Sequence, residues 1–312
     1  MRQTAWLKRA IEAAVALTLL AFLFANGSHA ATVQTAPTTF SSPEDAVAAM
    51  VGALRNGPLS VVTTIVGSGS GDWLLSGDEV ADRAAAAQFV AAYDAKHRIR
   101  REGASRAVLT VGVDDWPMPV PLVKTGMRWS FDSAAGRDEV LARRIGRNEL
   151  DTIQVLKAMA DAEIEYARAT GAGSGQLAYA QKFASSPGKK DGLYWSVKDG
   201  EPMSPLGPLV AQAATEGYTS ANLTPYHGYL FRILTGQGSS APGGAFDYVA
   251  KGVMIGGFAM VAYPASYGVS GVMTLLISHD GVVYQKDLGP TTAQLAAKMT
   301  RFDPAPGWQK VP

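Results

Sequence analysis

The chain has 312 residues, 47% of them hydrophobic and 18% charged, with 33 Gly, 17 Pro and no Cys. The composition is that of a globular protein long enough for one large domain or two of average size. The absence of Cys excludes disulfides, thiolate zinc sites and a cysteine nucleophile. A formal net charge of +1 provides no global basic field for nucleic acid.

The first thirty residues have the pattern of an export signal. Arg2, Lys8 and Arg9 form a basic start, Ala10 to Phe24 is apolar apart from Glu12 and Thr18, and Ser28-His29-Ala30 is a small-x-small cleavage site. The mature protein is expected to begin near Ala31, in the periplasm or outside the cell. An uncleaved anchor is the competing reading, but the apolar stretch is short against the roughly 20 residues a span requires. Cleavage would leave 25 basic and 26 acidic residues, close to −1. Gly252 to Ser278 is also free of charge, but its Gly and Pro residues cut it into short strand-like runs, so no stable membrane span is expected after cleavage.

Residues 31–42 read as a flexible lead-in. Ser42-Pro43-Glu44-Asp45 is a helix start, with a capping hydroxyl, Pro at the first turn and acids at the positive helix end. The helix is expected to stop near Asn56-Gly57-Pro58. Leu59 to Val66 is a second short helix and Asp78 to Lys96 an Ala-rich third. Strands are expected at Ala107 to Val113 and Met127 to Asp132, with Met118 to Lys124 an edge strand because of its alternating prolines. Residues 43–132 thus read as an N-terminal α+β domain, cystatin-like or NTF2-like in shape. From Arg137 to Arg168, Leu141, Ile145, Ile153, Leu156, Ala160, Ile164 and Ala167 mark one long amphipathic helix of about 45 Å. Residues 171–225 read as mostly loop. A strand meander follows: Tyr229 to Leu234, one or two strands within Val253 to Tyr263, and a hairpin of Val272 to Ser278 with Val282 to Gln285 across an Asp-Gly tip. Thr291 to Met299 is a last short helix. Residues 133–312 form the second domain, and the fold class is α+β.

Two resemblances follow from these residues. Arg143-Arg144-Ile145-Gly146-Arg147-Asn148-Glu149-Leu150, Asp114-Asp115-Trp116-Pro117, Ser204-Pro205-Leu206-Gly207-Pro208, Tyr226-His227-Gly228-Tyr229 and Val283-Tyr284-Gln285-Lys286-Asp287-Leu288-Gly289 resemble an exported bacterial family of unknown function, number 2950. The likeness spans nearly all of residues 31–312 and implies export and a shared architecture, with no assigned activity. The long helix followed by Gly228 to Leu234, Gly256 to Pro264 and Gly271 to Tyr284 is similar to the globular domain of type IV pilins and pseudopilins. A whole domain precedes the helix here, and the helix is amphipathic, so pilus assembly does not carry over.

Several patterns could carry chemistry. Ser186-Pro187-Gly188-Lys189, Ser220-Ala221-Asn222 and Lys124-Thr125-Gly126 imitate the three penicillin-recognising motifs. Pro-Gly breaks the helical turn that must bring Ser and Lys together, and the chain order is wrong. His97, His227 and His279 show no ligand spacing, and the glycine runs at 67–71 and 171–175 lack the Lys-Ser/Thr of a phosphate loop. Tyr226, His227 and Tyr229 could form a ligand site or place a general base, or could be a packed strand entry. Arg143, Arg144, Arg147 and Glu149 could clamp an anion, pair internally with Asp138, Glu139 or Asp151, or dock the N-terminal half onto the helix through Asp114 or Asp115. No cofactor, metal, nucleotide or nucleic acid is expected. The leading reading is a non-catalytic binding or interaction module for an envelope protein or small ligand. The alternative is a periplasmic hydrolase with its site near His227 and the arginine cluster.

Overall fold

A computed structural model describes residues 38–311 apart from 68 and 219–224, and the side chains of 172–174 also lie outside the description. The expected signal segment at 1–30 and the Ser-Ala-Asn pattern at 220–222 therefore lie outside the described residues. Residues 37–312 cluster as one compact unit. The fold is α+β, with the long helix and the C-terminal meander both present.

The chain opens with helix α1 (Pro43–Asn56), where the Ser42 hydroxyl accepts from Asp45 N and Pro43 occupies the first turn. Next come α2 (Leu59–Val66), a single turn α3 (Gly71–Leu74) and α4 (Glu79–Ala95). These pack on a five-stranded antiparallel sheet of β1 (His97–Arg101), β2 (Arg106–Val111), β3 (Trp116–Pro117), β4 (Leu122–Thr125) and β5 (Arg128–Phe131). Its order is β1-β2-β4-β5, with β3 beside β2. Two expectations are corrected here. β1 was not anticipated, because His-Arg-Ile-Arg-Arg has no apolar alternation; pairing of all five residues with β2 holds it in place. β4 is interior rather than an edge. The prolines at 117, 119 and 121 precede it, so none removes an amide from its ladder.

Helix α5 (Ser133–Ser174) has 42 residues, about 63 Å, and overruns the expected helix at both ends. Asp132 caps it by accepting from Ala135 N, and Gly175 ends it at φ +71°. Gly171, expected in a linker, is inside the helix. The supposed loop at 171–225 contains α6 (Gly207–Glu216); Pro208 suits its first turn, and Gly217 closes it at φ +103°.

The remainder is β-rich. A small element combines β7 (Gly236–Gln237) and β8 (Phe246–Asp247) with β14 (Arg301–Phe302), and β9 (Val249–Ala250) pairs with β10 (Val253–Met254). The main C-terminal sheet is antiparallel in the order β15-β13-β12-β11-β6: β6 (Tyr229–Leu234), β11 (Ala259–Pro264), β12 (Met273–Ser278), β13 (Val283–Asp287) and β15 (Gln309–Lys310). Helix α7 (Thr292–Lys298) packs near β11.

Among the described residues two apolar cores form. One lies between α1, α2 and the N-terminal sheet and includes Met50, Leu109, Leu122, Trp129 and Phe131. The other lies between α5 and the C-terminal sheet and includes Leu156, Met159, Met260, Leu275 and Ile277. Helix α5 serves both, giving Leu141 to the first and Leu156 to the second. Among the described residues no helix is long and apolar enough to cross a membrane.

Candidate functional site

A cavity of about 720 Å³ opens between the N-terminal helices, their sheet and α5. That is within the 300–1,000 Å³ range typical of small-molecule sites. Met50, Leu54, Val62 and Val66 of α1 and α2 line it, with Val111, Met118 and Val120 from the sheet side. Helix α4 forms one wall through Ala81, Ala85, Phe89 and Ala92, at helical spacing. None of the 17 residues of α4 is buried. An amphipathic helix normally buries its apolar stripe; here that stripe faces the cavity.

Helix α4 is held at its ends. At its start Asp78, only 3% exposed, caps the helix through Ala81 N at 3.1 Å. The other oxygen of this carboxylate accepts from Tyr218 Oη at 2.8 Å and Gly228 N at 3.2 Å. At the other end Gly112 N donates to Ala92 O and Lys96 O. Ser76 and Asp82 reinforce the entry, Asp82 accepting from both the amide and the hydroxyl of Ser76. Sequence reasoning missed Asp78, which looks like an ordinary helix cap; its partners lie 140 and 150 residues away.

The opposite wall is a stripe of α5: Val140, Arg143, Arg144, Arg147 and Asn148. Arg144 donates to Trp73 O at 2.8 Å and to Leu74 O, fastening α3 to α5. Burial lowers its pKa, as does the neighbouring Arg147 charge, while Asp82 opposes the shift. Arg143 pairs with Glu139 at 2.6 Å and lies over the Trp116 ring at 4.7 Å. Carbonyls, not Asp114 or Asp115, therefore receive the docking arginine, and Asp115 pairs instead with Lys96 at 2.7 Å. Arg147 is exposed, with no hydrogen bond or ion pair among the described residues.

Just beyond these arginines, Asn148 and Glu149 attach α5 to the C-terminal sheet. Asn148 Nδ2 donates to Ser270 O at 2.8 Å, and Glu149 Oε1 accepts from Val272 N and Met273 N, both at 3.0 Å. Tyr229, fully buried, donates to Met273 O. Burial, with the Glu149 carboxylate nearby, raises its pKa.

Tyr226-His227-Gly228-Tyr229 is a tight turn. Tyr226 and Tyr229 exchange both backbone hydrogen bonds, with His227 at φ +49° and Gly228 at φ +73°. Two positive φ values are what a type I′ turn requires. A Cβ at Gly228 would also lie 2.8 Å from Asn148 Nδ2 and 2.9 Å from Ser270 Cβ. The His227 ring packs on Tyr226 at 4.2 Å, with Glu216 at 3.4 Å from Nε2 and Asp151 at 3.8 Å from Nδ1. Among the described residues no hydroxyl hydrogen-bonds this ring, and no cluster suited to a metal ion occurs. His279 stacks edge-on against Tyr248, and His97 lies flat on Tyr93.

The seven residues singled out from the sequence thus gather along one stretch of α5 and the turn beside it. The cavity next to them was not visible in the sequence. It is made by what α4 fails to bury, which only the tertiary arrangement reveals.

The architecture is a helix-walled apolar cavity in an α+β protein. The chain belongs to the family described as "Protein of unknown function (DUF2950)", whose model matches residues 37–311. No curated protein and no solved structure matches it.

Proposed function

We propose that this is an exported, non-catalytic binding module, and that its site is the cavity between α4 and α5. The carrying observation is a 720 Å³ apolar space walled by a 17-residue helix that buries no side chain. A ligand in that space would supply the missing packing partner of α4. The basic, apolar and small-residue pattern of residues 1–30 supports export. The packing of α5 on an antiparallel meander supports an architectural likeness of the C-terminal half to the pilin globular domain.

A hydrolase would need a nucleophile at His227. Among the described residues the ring meets two carboxylates instead, and its turn carries the signature of a structural hairpin.

The test is titration with Nile red, a neutral apolar dye that brightens out of water. One dye is expected to bind per protein. Ala85→Trp, which fills the space from the α4 wall, is expected to abolish binding while leaving the circular dichroism spectrum unchanged. Undiminished binding by Ala85→Trp would place the dye elsewhere and overturn the assignment.

A further inference from the structure

We propose that the cavity takes an amphiphile with one apolar tail and one anionic oxygen headgroup, a carboxylate or phosphate, with the headgroup seated at Arg147 beside Arg143. This rests on the cavity being the binding site and adds the chemical class of its ligand.

Positions 140, 143, 144, 147 and 148 follow the i, i+3, i+4, i+7, i+8 rule, so α5 presents one face to the cavity. Three of those five residues are arginines. Arg144 has a structural use in fastening α3, but a purely apolar ligand would leave Arg147 without a partner, and each guanidinium must be solvated or paired.

The three differ in how they are satisfied. Arg144 is committed to Trp73 O and Leu74 O, and feels the Asp82 charge. Arg143 has one carboxylate, Glu139 on its Nε, and its plane is fixed over Trp116. Its terminal nitrogens make no hydrogen bond among the described residues. Arg147 is unmatched and lies one turn from Arg144, whose pKa is lowered first by burial and to a smaller extent by the Arg147 charge.

Two carboxylates also line the cavity. Asp82 is occupied by the amide and hydroxyl of Ser76. Asp114 belongs to the turn after β2, away from the α5 stripe in sequence and hydrogen-bonded to none of the arginines. An anion at Arg147 would relieve the Arg144–Arg147 repulsion and accept from a planar fork suited to carboxylate and phosphate. Its tail would lie against the aliphatic and alanine walls.

The experiment is displacement of Nile red from the full chain by four probes sharing one tail: dodecanoate, dodecyl phosphate, dodecanol and dodecylammonium. The expected result is that at least one anion displaces the dye about tenfold or more tightly than dodecanol. Arg147→Gln should bring that anion to the dodecanol level and leave dodecanol itself unchanged, which also shows that the variant is folded. The better of the two anions identifies the headgroup as carboxylate or phosphate. Equal binding of anions and dodecanol, or a preference for dodecylammonium, would overturn the headgroup assignment while the cavity reading stands. If no probe binds and Nile red binds only outside the cavity, the cavity reading falls too.

Discussion

Asp78 shows how much a single side chain can join. One oxygen caps α4, and the other receives a phenol and an amide from the far half of the sequence. Loss of a cap costs about 1 kcal/mol, and hydrogen bonds to a charged group add about 1.5–3 kcal/mol each before relaxation. Asp78→Ala is therefore expected to lower the urea unfolding free energy by about 4 kcal/mol or more. Asp78→Ser should recover only the cap share, and full recovery by Ser would show that the Tyr218 and Gly228 contacts carry no weight. Glu163 presents a different case. It is fully buried in α5, accepts from Ala180 N through Oε2, and has no partner for Oε1 among the described residues. Burial raises its pKa from 4.5 to about 8. Between those values the folded protein holds a proton that the unfolded chain has released, so this group's contribution is complete below pH 4.5 and declines as pH rises toward 8. Glu163→Gln keeps an acceptor for Ala180 and does not titrate. The wild type should lose stability relative to this variant between pH 5 and pH 8, and parallel melting curves across that range would contradict the assignment.

Helix α5 contains two glycines with opposite consequences. A Cβ at Gly136 would lie 2.5 Å from Val120 Cγ2 and 2.7 Å from Val120 Cα, against backbone of the N-terminal core. At Gly146 nothing lies within 4 Å. Alanine gains about 1 kcal/mol over glycine in a helix interior, whereas overpacking a core costs about 1–3 kcal/mol. Gly146→Ala is expected to raise the melting temperature and Gly136→Ala to lower it. Equal shifts of one sign would mean that propensity alone decides. The existence of α5 was legible in the sequence because its apolar positions from Leu141 to Ala167 recur at spacings of three, four or eight. The limits of α5 were not, since Ser133 to Gly136 and Ala169 to Ser174 have the composition of a linker and are helical through their caps and packing. α6 and β1 were illegible for a related reason. Each is short, and neighbouring strands or a glycine stop hold it more than its own pattern does.

The described residues are organised around two cores that share one rod. The N-terminal core draws Leu141 from α5, with Val140 and Ile145 packed against it, and even Val269 from the loop before β12. Asp78, Arg144, Asn148 and Glu149 then tie residues between 70 and 150 positions apart. Hydrogen exchange should therefore find β2 and β12 amides released through the same global opening, with α4 amides exchanging more readily. Release of β2 at a distinctly lower free energy than β12 would show that the halves unfold separately. The residues of the candidate site were legible as a group, since three arginines in five positions and an aromatic-flanked His-Gly stand out. Their purpose was not, because the cavity depends on α4 being anchored at both ends, through Asp78 and through Gly112, with its apolar stripe facing the space between.

The position of α5 in the chain also has a consequence for synthesis. The first 132 residues emerge with every strand of their sheet but without the helix that closes their core. Until residue 145 and beyond become available, the surfaces of α1, α2 and β2 that will line the cavity stay open. In a growing chain, exposed apolar surface of this kind is what holding chaperones recognise. The nascent protein is thus a client in waiting for roughly its first half, and the loop around Val269, made long afterwards, still contributes to its first-made core.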